Sequence, residues 1–134
     1  MAYWLLKTEP GDYSYSDLEN SRRDVWDGVR NFAAQKNIRA MLPGDLAFVY
    51  HTGKEKAIVG VAEIVSPPYP GPSGEKLWVM DVSPHYRLGR SVSLSEIKKD
   101  PSFAAWELVR LPRLSVMPVT ADQWKRVHHM AAKN

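Results

Sequence analysis

The stretch that decides the fold is Tyr3–Pro10, which reads YWLLKTEP. Aromatic and aliphatic residues dominate its first part, and this pattern predicts a strand over Tyr3–Lys7. The turn sequence Glu9-Pro10-Gly11-Asp12 then ends the strand, because proline lacks a backbone donor and glycine tolerates turn conformations. The polar pair Thr8 and Glu9 therefore closes a largely apolar strand.

Outward from this strand, the chain alternates irregularly between strand-like and helix-like patterns. Apolar, β-branched runs predict strands at Leu46–His51, Ala57–Val65, Leu77–Val82, near Tyr86 and at Leu114–Val119. Three capping boxes, at Ser14, Ser93 and Thr120, predict helices over Tyr15–Glu19, Leu94–Lys99 and a last segment with Trp124, Val127 and Ala131 on one face. A further helix is predicted over Asn31–Leu42, with Phe32, Ile38, Met41 and Leu42 inward, and Phe103–Val109 is left open between helix and irregular structure.

These elements lack the regular strand–helix alternation of a doubly wound sheet. They predict an α+β fold, a small, curved, mostly antiparallel sheet or barrel with flanking helices. The proline-rich stretch Pro67–Lys76 reads as a long loop that is too short to separate two domains. One domain over residues 1–134 is expected.

Composition excludes several kinds of chemistry. The 134 residues include no cysteine, so disulfides, thiolate nucleophiles and cysteine-ligated metals are impossible. No apolar run approaches the roughly 18 residues of a membrane span, and no secretory leader is evident. A protein of the cytoplasm, or of the nucleus in a eukaryote, is expected.

The net charge of +3 is unevenly distributed. Residues 1–66 hold 8 basic and 9 acidic residues, whereas the remainder holds 10 and 6. The excess lies in His85–Arg90, at Arg110 and Arg113, and in the last helix at Lys125, Arg126 and Lys133. It indicates either an ordinary solvated surface or a rim that faces phosphates.

Catalytic and cofactor motifs are missing from the sequence. There is no glycine-rich phosphate loop and no zinc-ligand spacing, and the adjacent His128 and His129 would diverge on a helix. Asp24 and Asp27 flank Trp26 and could form a carboxylate pair, although capping or solvation is commoner. The pattern favours a binding module that needs neither cofactor nor metal.

Polar and aromatic residues gather where strands are predicted to end. Trp26 is expected in a loop just before a helix, a place where tryptophan either packs inward or contacts a ligand. Tyr50 and His51 end one strand as Thr8 and Glu9 end another. Such residues together could stack on a flat ring and bind its edge.

Five segments, in order, resemble the EVE domain family, a PUA-like group related in fold to YTH domains. They are YWLLKTEP (3–10), VWDGVRNFAA (25–34), PGDLAFVYH (43–51), IVGVAEIV (58–65) and RLSVMPVT (113–120) followed by Trp124. The family often has serine where this chain has Thr8, which keeps the hydroxyl.

The resemblance implies recognition of a modified nucleobase, such as modified cytosine in DNA or a methylated base in RNA. Trp26 resembles the cage tryptophan of the related YTH pocket, and Thr8 and Glu9 fall where that pocket contacts the base edge. Asn31, Tyr50, His51 and Ser115 lie in shared segments and complete the expected pocket.

The expected mechanism is insertion of a flipped base beside Trp26, with Glu9 accepting from an exocyclic amine. Arg30, Arg110 and Arg113 are the candidate phosphate contacts. A monomer that binds nucleic acid, without a membrane, is expected. Two alternatives stay open, a small nucleotide- or RNA-processing enzyme using Asp27 or His51, and a protein-interaction module presenting Trp26 and Tyr50.

Overall fold

A computed structural model describes residues 1–72 and 76–132. Within them the strands are β1 Tyr3–Thr8, β2 Asp24–Trp26, β3 Leu46–His51, β4 Ala57–Ile64, β5 Tyr69–Pro70, β6 Trp78–Ser93 and β7 Val116–Val119. The helices are α1 Tyr15–Ser21, α2 Phe32–Arg39, α3 Leu94–Lys99, α4 Glu107–Arg110 and α5 Ala121–Ala131, with a 3₁₀ turn at Pro101–Phe103. No helix in this part of the chain is both long enough and apolar enough to cross a bilayer.

The strands form one curled sheet in the order β2-β6-β4-β3-β1-β7, with β5 paired to β6. Only β1 and β3 run parallel among the described strands, and the other pairings are antiparallel. Register shifts interrupt the β4–β6 pairing at two points, and such bulges increase the local twist. The result is a half-barrel with flanking helices, which confirms the predicted fold class.

The parallel pairing of β1 with β3 shapes the rest of the chain. Parallel neighbours cannot be joined by a tight hairpin, so a long crossover must connect them. Residues 9–45 form this crossover, and they contain α1, β2 and α2. The crossover therefore brings β2, with Trp26 at its end, close to the end of β1.

Asp45 fixes the return of the crossover into β3. Its carboxylate is 3% exposed and accepts three hydrogen bonds, from the backbone N–H of Ala2 at 3.1 Å, from Trp4 Nε1 at 2.9 Å and from the backbone N–H of Leu42 at 3.0 Å. A buried carboxylate is tolerated only when its oxygens are paired in this way. Asp45 thus links the N-terminus of β1 to the entry of β3.

The three predicted capping boxes are present, at Ser14, Ser93 and Thr120. Helix α1 is held on the sheet by Tyr15, whose hydroxyl donates to the Val61 carbonyl at 2.8 Å. The Tyr15 ring lies directly over Gly60, where a Cβ would come within 2.7 Å of it. A larger residue at position 60 would therefore displace α1.

The predicted helix over Asn31–Leu42 is wrong in its length and in part of its inward face. Helix α2 ends at Arg39, and its buried residues are Ala34, Gln35 and Ile38. Phe32 is 84% exposed because it occupies the first helical position, opposite this buried stripe. Leu42 is also exposed, since it lies in the turn whose backbone N–H is directed to Asp45.

Other differences concern strands that the sequence pattern predicted as loops or as two separate segments. Trp26 ends strand β2, opposite Met80 of β6, instead of lying in a loop. Residues 78–93 form one strand rather than two segments, and Tyr69–Pro70 within the predicted proline-rich loop pairs with it. The last strand begins at Val116, two residues later than predicted. Residues 73–75 and Lys133, which belonged to the predicted loop and basic cluster, lie outside the described residues.

Replacement of Asp45 tests its role as the anchor of the crossover. We expect Asp45→Ala to lower the free energy of unfolding by about 2 kcal/mol, because a buried donor left without an acceptor, here Trp4 Nε1, costs about 1–3 kcal/mol and two partly buried N–H groups lose their acceptor as well. Urea denaturation measures the change. The control Asp122→Ala, at an exposed position of α5, is expected to cost less than about 1 kcal/mol. Equal midpoints for the two variants would contradict the assignment.

The Arg90–Glu96 pair makes a prediction about acid stability. Hydrogen bonds from the Arg90 guanidinium are the main reason that the pKa of Glu96 falls from its ordinary 4.5 to about 2. A carboxyl with a depressed pKa in the folded state stabilises the protein above its unfolded pKa and loses that contribution as the pH falls. Glu96→Gln is therefore expected to destabilise at pH 7, with a difference that shrinks between pH 4.5 and 2. A pH-independent difference in denaturation experiments would disprove this linkage.

Candidate functional site

A cavity of about 510 Å³ lies where the end of β1 meets β2. Its lining comes from three parts of the chain: 7–13 around the end of β1, 24–30 of β2 and the turn that follows, and Ser115 before β7. All three are brought together by the crossover and by β7, whose strand pairs with β1.

The turn after β1 forms one side of the cavity. The Glu9 carbonyl accepts from the backbone N–H groups of Asp12 and Tyr13, at 2.9 and 2.8 Å, so the chain folds back on itself. The Thr8 hydroxyl donates to the Tyr13 carbonyl at 2.7 Å. Because its proton is used in this way, the Thr8 oxygen remains available only as an acceptor.

Trp26 and Tyr13 form the aromatic wall. Their rings meet edge to face, with centroids 6.1 Å apart and an interplanar angle of 87°. Trp26 is 7% exposed, so most of its surface packs against protein and the remainder faces the cavity. The wall is therefore preformed by packing.

A hydrogen bond locks this wall to β2. The Tyr13 hydroxyl donates to Asp24 Oδ2 at 2.8 Å, and Asp24 Oδ1 accepts from the backbone N–H of Val25. Burial, followed by the hydrogen bond to Asp24, raises the pKa of Tyr13 to about 12. Tyr13 therefore remains a neutral donor throughout the physiological range of pH.

The turn after Trp26 is held by the buried amide of Gln35. Its Nε2 donates to the Val29 carbonyl at 2.7 Å and to the Trp78 carbonyl at 3.0 Å. Its Oε1 accepts from the backbone N–H of Trp78 at 2.8 Å. The amide thus connects this side of the cavity to α2 and β6, while Gly28 turns the chain with a φ of +75°.

Carboxylates outnumber cations around the cavity. Asp12 and Asp27 accept no hydrogen bond from the described residues, so their oxygens are available to a donor. Glu9 is partly used, because its carboxylate accepts from the Gly11 backbone N–H at 3.0 Å and from the Thr52 hydroxyl at 3.3 Å. An interior of this kind suits amine and amide N–H groups.

Lys7, next to Thr8 on β1, is one of the two cations of the lining. Its Nζ donates to the Pro112 carbonyl at 2.9 Å and lies 5.6 Å from the centroid of the Tyr50 ring. Burial lowers the pKa of Lys7 from its ordinary value. The ammonium keeps further N–H donors for a ligand acceptor.

Five of the ten predicted site residues line this cavity, and five do not. Thr8, Glu9, Trp26 and Ser115, which were predicted for the base pocket, line it together with Arg30, which was predicted as a phosphate contact. The other five lie elsewhere, each with a partner or position of its own: Asn31, Tyr50, His51, Arg110 and Arg113.

Asn31 and His51 have clear local roles. Asn31 is the N-cap of α2 and accepts from the backbone N–H of Ala34 at 3.0 Å. His51 is 7% exposed, its Nε2 accepts from the backbone N–H of Tyr15, and its Nδ1 lies 2.8 Å from Glu55 Oε1. Both ring nitrogens of His51 are therefore already used.

The remaining three lie near the cavity or farther along the surface. Tyr50 is 3% exposed, beneath Lys7. Arg110 donates to the Ala105 carbonyl at 2.8 Å. Arg113 is exposed next to Pro112, whose carbonyl binds Lys7.

Sequence reasoning missed Lys7, Asp12, Tyr13 and Val29, and it considered Asp24 and Asp27 only as a catalytic pair. A usable signal was the turn Glu9–Asp12, because a chain that reverses after Thr8 must bring Tyr13 back to the end of β1. Nothing in the sequence alone pairs Tyr13 with Asp24, since the bond depends on where the crossover places β2.

Three arginines of the basic second half form ion pairs with carboxylates. Arg87 binds Glu19, Arg90 binds Glu96 and Arg126 binds Asp100, with closest N–O distances of 2.7 to 2.8 Å. Within the described residues, no group of three or more His, Asp or Glu residues could hold a metal ion.

Comparison with known proteins shows which family this chain resembles. The EVE domain model matches residues 2–130. A solution structure of a protein from Rhodopseudomonas palustris is 38% identical, with a TM-score of 0.93 over 100% of this chain and 97% of that one. Human THYN1, solved in complex with DNA that contains 5-methylcytosine, is 28% identical, with a TM-score of 0.92 over 100% of this chain and 99% of that chain.

Chicken thymocyte nuclear protein 1 is 32% identical over 143 residues. The alignment covers 98% of this chain but only 54% of the chicken protein, so the chain spans about half the length of that relative. The half-barrel and the family match agree with the resemblance inferred from the sequence and with its PUA-like architecture. The chain therefore belongs to the EVE domain family.

Proposed function

We propose that this protein is a binding module for modified cytosine in DNA, and that the base enters the cavity beside Trp26. The observation that carries the proposal is the combination, in one cavity, of an aromatic wall with available carboxylates and a hydroxyl acceptor. The DNA complex of human THYN1, a relative with the same fold, supports the choice of ligand.

The size of the cavity suits one base. Small-molecule pockets usually measure about 300–1,000 Å³, and this one measures about 510 Å³. A base inside a duplex is inaccessible to such a cavity, so it must be flipped out or come from a single strand. The preformed wall of Tyr13 and Trp26 would receive it without prior rearrangement.

The polar lining fits the hydrogen-bonding edge of cytosine. The exocyclic amine of cytosine is a donor, and Asp12 and Asp27 offer acceptors without a competing partner among the described residues. The ring nitrogen and carbonyl of the base are acceptors, which Lys7 and the Ser115 hydroxyl can serve. We favour Asp12 and Asp27 over Glu9 as the acceptors because Glu9 already holds Gly11 and Thr52.

A substituent at C5 would be recognised by contact with apolar wall. Val25 and Val29 both line the cavity, and Val29 is only 8% exposed. Burying one methyl or methylene group is worth about 0.8 kcal/mol. A hydroxymethyl group could in addition donate to the Thr8 oxygen, whose own proton is already committed to Tyr13.

A binding role fits these residues better than catalysis. His51, the histidine considered for an enzyme, lies outside the cavity lining and has both ring nitrogens occupied. Asp27 lines the cavity, but His51 cannot act with it as a base. The burial of Trp26 and Tyr50 likewise argues against a flat aromatic surface for a protein partner.

Trp26→Ala tests the aromatic wall. We expect it to weaken binding of a 5-methylcytosine oligonucleotide by about tenfold or more, since base–aromatic stacking is worth about 1–3 kcal/mol. Fluorescence anisotropy with methylated and unmethylated oligonucleotides measures affinity and selectivity. Trp26→Phe, which keeps a ring, should retain part of both.

Tyr86→Ala is the matched control, because Tyr86 is an exposed aromatic residue that does not line the cavity. Thermal denaturation establishes that each variant is folded. Equal affinity of the wild-type protein for methylated and unmethylated strands would disprove the proposed selectivity. Unchanged binding by folded Trp26→Ala would disprove the proposed site.

Asp27→Asn distinguishes base contact from general electrostatics. If the carboxylate accepts from the cytosine amine, loss of its charge should weaken binding of the methylated strand about fivefold, because hydrogen bonds to charged groups exceed neutral ones by about 1 kcal/mol. If Asp27 only repels phosphates, the same change should tighten binding. The sign of the change in Kd decides, and Asp122→Asn on α5 controls for net charge.

A further inference from the structure

A second cavity, of about 470 Å³, lies beside the first on the outer side of α2. The residues that define its surface, here called the α2 face, are Arg30, Phe32, Lys36, Arg39, Lys76 and Trp78. None of the described residues that line it is acidic. The α2 face is thus a concentration of positive charge around two aromatic rings.

Phe32 is the unusual member of this surface. Its side chain is 84% exposed, although phenylalanine is among the residues most often buried. Phe32 does not belong to the core-facing side of α2, whose buried residues are Ala34, Gln35 and Ile38. An exposed ring set among cations is the arrangement by which proteins bind single strands, with stacking on bases and ionic contact to the backbone.

Cations flank Phe32 along the exposed side of α2. Lys36 and Arg39 follow it on the same helix, and the Arg39 guanidinium lies 6.0 Å from the centroid of the Trp78 ring. Charge and aromatic surface are therefore interleaved within two helical turns. A polyanion that carries flat rings has the complementary chemistry.

The α2 face is continuous with the cavity beside Trp26. Arg30 lines both, and Phe32 follows it after a single residue, the cap Asn31. Gln35 reaches both sides as well, since its amide binds Val29 of the first cavity and Trp78 of the second. A strand whose base occupies the first cavity can therefore reach the second with its adjoining nucleotides.

We propose that the α2 face binds the nucleotides that adjoin the inserted base, with Phe32 stacked on the neighbouring base and Lys36 and Arg39 at its phosphates. This inference rests on the proposed function, which supplies the inserted base. It assigns strand binding to the first half of the chain, whereas the sequence placed the phosphate contacts mainly in the second.

The test compares a 9-mer single strand carrying one central 5-methylcytosine with the methylated mononucleotide. Phe32→Ala should weaken binding of the 9-mer about tenfold and leave mononucleotide binding unchanged, because the ring contacts only the neighbouring base. Phe32→Trp, which keeps an aromatic ring, should retain the 9-mer affinity. Trp26→Ala should instead weaken both ligands.

A plot of log K against log salt has a negative slope, because binding releases counterions. The double variant Lys36→Ala/Arg39→Ala should make this slope less steep, by about 0.7 for each phosphate that is no longer neutralised. Its matched control is Lys98→Ala/Lys99→Ala, which removes the same charge from a separate lysine-lined depression at α3. This control should leave the slope nearly unchanged.

Three results would overturn the inference: 9-mer affinity unaffected by Phe32→Ala, equal slopes for the two double variants, or a Phe32→Trp variant that binds the 9-mer as weakly as Phe32→Ala. The outcome is separable from that of the proposed function. Strand binding that depends on Phe32 but not on methylation or Trp26 would support the α2 face and disprove base insertion. Methylation-dependent binding that is unchanged by Phe32→Ala would support base insertion and disprove the role of the α2 face.

Discussion

The parallel pairing of β1 with β3 is the constraint on which the rest of the structure depends. Parallel strands need a crossover, and here the crossover is 37 residues long, 9–45, and carries both the aromatic wall and α2. Asp45, whose side chain is buried, closes it by accepting three hydrogen bonds. The site is therefore built from the connection that the topology requires, on a sheet whose other described pairings are antiparallel.

The walls of the site are held by side-chain hydrogen bonds that connect different parts of the chain. Tyr13 and Asp24 join the turn after β1 to β2, and Gln35 joins the turn after β2 to both α2 and β6. Such a wall loses little conformational entropy when a ligand arrives, because its side chains are already fixed. The proposed recognition of a flat base depends on this preorganisation more than on any single residue.

The sequence predicted those features that depend on local chemistry. The capping boxes at Ser14, Ser93 and Thr120 are short-range patterns, and the structure has them. The first strand, predicted over Tyr3–Lys7, is also present and extends one residue further, to Thr8. The sequence-based prediction failed where the position of a residue depends on contacts between distant parts of the chain. Phe32 is at the first position of α2, away from the buried stripe of Ala34, Gln35 and Ile38, and is therefore exposed. Tyr50 and His51 end their strand as predicted, but they are covered by Lys7 and by α1. Trp26 and Ser115, far apart in the sequence, share a cavity because β7 and β2 approach the two sides of the end of β1.

The position of Arg30 between the two cavities has a directional consequence. On one side of it the lining is rich in carboxylates, and on the other it is entirely basic or neutral among the described residues. The charge of the lining therefore changes from mainly acidic to basic between the two cavities, with Arg30 lining both. In the proposed binding mode, the base would face the carboxylate-rich lining of the first cavity and the phosphates would lie over the basic second one, so this difference in charge would favour one direction of entry.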